Sequence, residues 1–460
     1  MFFKQFFNEG LGCCSYMVGC AQAGVVAVVD PRRDIGDYLT LAHQEGLKIT
    51  QIIDTHVHAD HITGSQELQR VTEAPIYVHG QAPVKYEHQS LQEGQELVLG
   101  SARLQILDTP GHTPHSVSVL VTDTSRGIEP WLVLTGDLLF VGDVGRPDLA
   151  GAEKLEEQVE NLYHSLYDKL GRFPGRLEIY PAHGHGSLCG RALSSKLSST
   201  LGFERHNNPI LQKGSLAEFK AAVMQEFPAR PKNFTHIIAT NLAGPPLVDQ
   251  QKPFRPLNVQ EVKAKLDSGH VIVDTRDEAA FGGAHIPGSI NIGLSPPIGN
   301  WAGMVLEPGS PLVLIVDNQE SLREVVKQLY RVGYDNIEGF LSGGIKAWEM
   351  AAQPTGFIPQ LTPRELAEML KAGKPDVVLD VRTAPEWQQG HIAEAQHLPL
   401  SQMSQTDLSP YAAQKVVTIC GNGYRANIAG SLLMRHGAKR VSAVAGGMVS
   451  WRNAGLPTSI

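Results

Sequence analysis

The sequence predicts a multidomain α/β protein, and three observations carry that prediction. At 460 residues the chain exceeds what one hydrophobic core holds, since domains run to roughly 150 residues each. In the first half, several apolar runs stop at a turn carrying His or Asp. In the second half, short β-branched runs alternate with helical stretches twice over, which implies parallel sheets flanked by helices.

The first half comes first in the argument because its histidines cluster. Of 18 His in the chain, three fall within Thr55-His-Val-His-Ala-Asp-His61, directly after the strand-like run Ile49–Asp54. The same plan recurs at Leu104–His112, at Trp131–Asp137 and at Leu177–His183: an apolar strand, a turn, then imidazole or carboxylate. Strands that end this way aim loop-borne groups at one point above a sheet edge, the geometry of a metal site. Imidazole with carboxylate and no thiolate suits zinc, iron or manganese. Residues 1–243 share no repeat with the rest and form their own predicted domain.

The second half contains two copies of one pattern. Asp274, Arg276 and His285 recur at Asp380, Arg382 and His391, each 106 residues later. Gly343, Gly344 and Trp348 recur at Gly446, Gly447 and Trp451, each 103 residues later. The copies are placed at 257–352 and 360–460, with the Pro-rich stretches 244–256 and 353–359 as linkers. Within the second copy, Pro363–Ala372 reads as a helix, Asp376–Asp380 and Val416–Ile419 as strands, and Arg425–His436 as a helix. Cys420 then lies at a strand–helix junction, in Cys420-Gly-Asn-Gly-Tyr-Arg425. Successive backbone N–H groups and the positive helix end stabilise a thiolate there. In the first copy Asp317 stands opposite Cys420, and Asp cannot carry a sulfur.

Composition narrows the function classes. A net charge of −8 and a pI near 6.1 argue against nucleic acid as a main partner. No stretch approaches the ~18 apolar residues of a membrane span, and the segment Met1–Glu9 is too short for a secretory signal. Five scattered Cys make no disulfide framework, which points to a reducing cytoplasm; Cys13, Cys14 and Cys20 read as structural.

The set Thr55–His61, His112, Asp137 and His183 resembles the metallo-β-lactamase superfamily, which implies an αββα sandwich. Ala59-Asp-His-Ile-Thr-Gly-Ser65 and Gly145-Arg-Pro-Asp148 are similar to persulfide dioxygenases. By that resemblance His56, His112 and Asp137 hold one Fe(II) per chain, and His58, Asp60, His61 and His183 surround it. The same four residues could instead complete a site for two Zn ions. Arg146 and Asp148 are either an ion pair within their loop or a contact for the carboxylate of a thiol carrier, and Cys189 is a candidate thiol at the pocket rim. The last copy resembles the rhodanese sulfurtransferases. That likeness makes Cys420 the sulfur-carrying nucleophile and Arg425 the residue that orders its loop, while the first copy is expected to be inactive and structural.

Joined, the resemblances imply a bifunctional enzyme of sulfide detoxification. Its partners are a low-molecular-weight persulfide of glutathione, coenzyme A or a similar thiol, O2 and sulfite, and a homo-oligomer is expected. The alternatives are a dinuclear zinc thioesterase of the hydroxyacylglutathione hydrolase type fused to sulfur carriers, and a non-catalytic persulfide sensor or sulfur relay.

Overall fold

A computed structural model describes residues 1–191, 193–225, 227, 229–248, 255–295 and 298–460, so the first linker lies partly outside the described residues. The chain divides into two compact units, Met1–Asp249 with Tyr330–Gly333, and Gln250–Leu329 with Tyr334–Ile460.

The first unit holds two six-stranded sheets. One runs β1 (Phe2–Asn8), β2 (Cys13–Cys20), β3 (Val25–Val29), β4 (Lys48–Ile53), β5 (Ile76–His79) and β6 (Gln89–Leu91), in that order. The other contains β7 (Glu96–Leu99), β8 (Ala102–Asp108), β9 (Val117–Asp123), β10 (Leu132–Gly136), β11 (Glu178–Pro181) and β12 (Ser199–Thr200), in the order β12-β11-β10-β9-β8-β7. Side-chain alternation explains the layers. Tyr16, Val18, Ala27 and Val29 point inward and meet Leu104, Ile106, Val119 and Leu134 between the sheets. Their neighbours Met17, Val26 and Val28 point outward onto Tyr38 and Leu68, from the helices Gly36–Gln44 and Ser65–Thr72. Across the second sheet, Leu107, Leu120 and Val133 pack on Val159, Leu162 and Phe219, from Leu155–His164 and Leu216–Val223. The result is the expected αββα sandwich.

In the second unit the two copies repeat one topology. The first sheet comprises β13 (Pro256–Leu257), β14 (Val271–Asp274), β15 (Ile290–Asn291), β16 (Leu312–Ile315) and β17 (Ile337–Leu341), ordered β13-β17-β16-β14-β15. The second comprises β18 (Gln360–Leu361), β19 (Val377–Asp380), β20 (Ala395–His397), β21 (Lys415–Ile419) and β22 (Arg440–Val444), ordered β18-β22-β21-β19-β20. All pairings in both are parallel. The helix Pro363–Lys371 starts where Pro363 sets its first turn and Thr362 with Glu365 closes a capping box. The repeated tryptophans have one role: Trp348 and Trp451 are buried, and their indole N–H groups donate to Pro354 O at 2.8 Å and Pro457 O at 2.9 Å. Among the described residues no helix is long and apolar enough to cross a membrane.

The layer assignment is testable by contrast. Ile106→Ala, between the sheets, should cost about 2–5 kcal/mol, whereas Val98→Ala on the exposed side of β7 should stay within about 0.5 kcal/mol. Hydrogen exchange of the β8 and β9 amides reads both.

Candidate functional site

The metal-type residues all sit in turns at the carboxyl ends of β4, β8, β10 and β11, as the strand–turn pattern predicts. His56, His112 and Asp137 are buried and form one cluster of potential ligands. Each imidazole is fixed by its far nitrogen. His56 Nδ1 lies 2.9 Å from Thr55 Oγ1, which itself donates to Asp30 Oδ2 at 2.9 Å. His112 Nδ1 lies 2.8 Å from the carbonyl of Arg146. A carbonyl only accepts, and the Thr55 hydroxyl proton is committed to Asp30, so both rings carry their proton on Nδ1 and present a bare Nε2.

Asp137 divides its oxygens. Oδ1 lies 2.6 Å from His183 Nδ1, while Oδ2 faces His112 Nε2 at 3.3 Å and His56 Nε2 at 3.8 Å. His56 Nε2, His112 Nε2 and Asp137 Oδ2 are buried with no hydrogen-bond partner among the described residues. Three converging acceptors without a donor call for a cation, and two imidazoles with one carboxylate suit a metal that keeps open positions. The electrostatics agree. Burial holds His56 well below the usual imidazole range, with the neighbouring His58 adding to it, and burial also lowers His112. For Asp137, burial works to raise the carboxyl, but His183, His112 and His56 outweigh it and keep it ionised.

The other motif residues separate from this cluster. His58 turns to Asp30, with Nε2 3.3 Å from Oδ1, and groups with Asp30 and Asp54. His183 spans two carboxylates, its Nε2 lying 2.9 Å from Asp60 Oδ2. Asp60 also approaches His61 Nδ1 at 3.1 Å and Cys13 Sγ at 3.2 Å. Cys189 is buried beside His183 and Asp137 rather than at a rim, and burial pushes its thiol up to about 12. Arg146 is buried and forms the intraloop pair, donating to both Asp148 oxygens at 2.7 Å and to Leu188 O at 3.1 Å. A small cavity opens beside His56 and His58, lined also by His79, Tyr86 and His115.

In the second unit Cys420 is buried at the end of β21, before the helix Tyr424–Arg435. Gly423 N–H donates to Cys420 Sγ at 3.1 Å. Arg425 makes a two-pronged pair with Glu386, at 2.7 and 2.6 Å. Burial would raise Glu386, but Arg425 holds it at about 2. The Cys-less copy also reaches this loop, since Tyr424 Oη donates to Gly293 O at 2.9 Å and the Arg425 guanidinium lies 6.0 Å from the Trp301 ring centre. Asp317, by contrast, is exposed.

Comparison with known proteins accords with this geometry. The family model of the metallo-beta-lactamase superfamily matches residues 10–183. A crystal structure of a metallo-beta-lactamase from Staphylococcus aureus subsp. aureus COL is 32% identical with a TM-score of 0.68, covering 74% of this chain and 98% of that one. The chain belongs to the metallo-β-lactamase superfamily. Its second half carries two rhodanese-like domains, matched at 258–351 and 362–454. The mitochondrial persulfide dioxygenase ETHE1 of Bos taurus is 29% identical over 209 residues, 45% of this chain and 75% of that protein. A hydroxyacylglutathione hydrolase of Nitrosococcus oceani is 28% identical over 45% of this chain and 72% of that protein.

Within this metallo-β-lactamase domain, sequence reasoning missed Asp30 and Thr55. Asp30 carried a usable signal, because β3 also ends in a carboxylate. In the last rhodanese-like domain it missed Glu386, whose counterpart 106 residues earlier is Ala280, so a difference between the copies marked it.

Two tests follow from the geometry. A Cβ on Gly145 would fall 1.8 Å from Asp137 O and 3.2 Å from His112 Cβ, so Gly145→Ala should displace both residues. Metal per chain, measured by mass spectrometry, should fall well below that of the wild type. Glu386 titrates at about 2 in the fold, against ~4.3 in an unfolded chain. The pair's contribution is therefore complete above the unfolded value and lost as pH falls toward 2. Glu386→Gln should unfold at lower temperature near neutrality, and its gap to the wild type should close between about pH 5 and pH 2.

Proposed function

We propose that this chain is a bifunctional enzyme of sulfur metabolism: a non-haem Fe(II) persulfide dioxygenase joined to a rhodanese sulfurtransferase. The observation that carries the reading is the convergence of His56 Nε2, His112 Nε2 and Asp137 Oδ2, buried and without hydrogen-bond partners, in one cluster, while His58, whose nitrogens are likewise without hydrogen bonds, lies in a separate cluster with its Nε2 3.3 Å from Asp30 Oδ1. These three would hold one iron by a single face, whereas a zinc site of the hydrolase type would draw on His58 as well. Fe(II) bound there supplies the electrons that activate O2 beside the persulfide sulfur. The overall reaction is R–SSH + O2 + H2O → R–SH + SO3²⁻ + 2H⁺.

The chain's own residues set the conditions. Thr55 and the Arg146 carbonyl keep the Nε2 lone pairs of His56 and His112 free. His183 holds Asp137 so that only Oδ2 faces the imidazoles. Arg146, held by Asp148 and Leu188 O through three of its five N–H groups, supports the His112 loop. In the last domain Cys420 would take a sulfane sulfur from R–SSH, releasing R–SH. Sulfite then attacks the outer sulfur of Cys420–SSH, giving thiosulfate and the free thiol. The Gly423 N–H stabilises the thiolate at both stages. Glutathione and coenzyme A are the candidate carriers.

The hydroxyacylglutathione hydrolase likeness keeps a second reading in view, a two-zinc thioesterase. The test is O2 uptake by anaerobically iron-loaded protein on adding glutathione persulfide. Uptake with sulfite or thiosulfate appearing is expected, and His112→Ala should lower it more than ~100-fold. Cys420→Ser should abolish sulfur transfer to sulfite while leaving O2 uptake unchanged. No uptake, two zinc ions per chain and hydrolysis of a glutathione thioester would replace the dioxygenase with the thioesterase.

A further inference from the structure

The strand-end plan that places the triad recurs at β5, whose last residue is His79. Both nitrogens of that ring are committed. Nδ1 accepts from Gln81 N–H at 3.2 Å, and Nε2 lies 3.5 Å from Oδ1 of Asp108, the last residue of β8. The turn after β8, which carries His112, brings in a further imidazole three residues on. His115 stacks on His79, with ring centres 5.8 Å apart and planes 21° apart. Both rings line the cavity that opens beside His56 and His58, yet neither falls in a cluster of potential metal ligands among the described residues.

His115 differs from His79 in having capacity to spare. Its Nδ1 is buried and has no hydrogen-bond partner among the described residues. Its surroundings are basic. Burial, then His79 and Lys154, hold its imidazole below the usual range, and no carboxylate offsets them. The acids nearby are spent: Asp108 faces His79, while Glu93 takes Lys169 Nζ at 3.1 Å and the Asp108 N–H at 2.7 Å. Lys154 is exposed and makes no ion pair among the described residues. An oxyanion completes this corner, because it accepts from the imidazole and answers the ammonium charge. The cavity joins the corner to His56, so one small molecule reaches both. Polar groups of this kind, few and fixed, orient a ligand in its pocket.

We propose that His115 and Lys154 form a carboxylate-binding subsite of the cavity, with His79 holding the His115 ring in place. The subsite selects persulfides of thiols that bear a free carboxylate, as glutathione does, over those of uncharged thiols. It rests on the reading of the triad as a persulfide dioxygenase centre, and it gives that centre its choice of carrier.

O2 uptake by the iron-loaded full chain tests it, with glutathione persulfide set against the persulfide of glutathione diethyl ester, which lacks free carboxylates. Wild type should favour the acid in kcat/KM by roughly tenfold or more, the worth of a charge-assisted hydrogen bond. The difference should lie in KM and shrink as salt rises, since Lys154 is exposed. His115→Gln should bring the acid-to-ester ratio close to one. Lys154→Glu, outside the His112 turn, should lower the same ratio and decides the matter where His115→Gln costs iron. Uptake with equal kcat/KM for acid and ester in wild type, or a preference that survives Lys154→Glu and His115→Gln, would overturn the subsite and leave the dioxygenase standing. No uptake with either persulfide would remove the dioxygenase and the carrier choice together.

Discussion

The division of the Asp137 carboxylate is the constraint on which the first domain turns. One oxygen is held by His183 and the other is aimed, unpartnered, at two imidazoles. Neither half works alone. Without His183 the carboxylate could rotate and accept from whatever donor lay nearest. With Nδ1 of His56 and His112 already committed, no donor is left on the side that Oδ2 faces. Such an assembly of bare acceptors is unfavourable in a dry interior unless a cation completes it, so the fold stores a preference for metal in the pattern of its hydrogen bonds.

The rhodanese-like copies show what separates a site from its scaffold. Both keep the Asp–Arg fork, with Arg276 on Asp274 and Arg382 on Asp380, and both keep an aromatic ring stacked on the following His. Those features hold the sheet edge and its crossover, which each copy needs to fold. Cys420 and Glu386 have no equivalents, being Asp317 and Ala280 in the first copy. The first copy therefore lacks both the thiol and the carboxylate that pairs with Arg425 beside it. The first copy retains a part in that loop from outside, through Gly293 under Tyr424 and Trp301 near Arg425. Its expected structural role is thus joined by a direct contact with the Cys420 loop.

What the sequence disclosed follows from periodicity and covalent neighbourhood. Strand ends at His56, His112, Asp137 and His183 were legible because each follows an apolar run closed by a turn, and the strand–Cys–helix junction because Gly421 and Gly423 punctuate it. Which nitrogen each imidazole presents was not legible. It depends on a hydroxyl from one residue back and a carbonyl 34 residues on. For the same reason His58 could not be separated from His56, since its neighbour Asp30 is 28 residues earlier and follows another strand.

Both candidate sites meet one further requirement, imposed on the backbone rather than the side chains. A loop-borne group is useful only if its own main chain cannot drift. In the first domain Gly145 lies against the carbonyl of Asp137; in the last, Gly447 lies against the carbonyl of Cys420, where an added Cβ would come within 2.3 Å. Gly447 has φ +53, a conformation most side chains avoid, and Met448 N–H donates to that same Cys420 carbonyl at 2.8 Å. In each case a glycine from a later turn buttresses the peptide that carries the functional group, and only hydrogen in place of a Cβ permits the approach. Two unrelated sheets thus reach one solution. The candidate residue sits at a strand's carboxyl end, where its side chain is free to face a ligand, and a distant glycine supplies the rigidity that the end of a strand lacks.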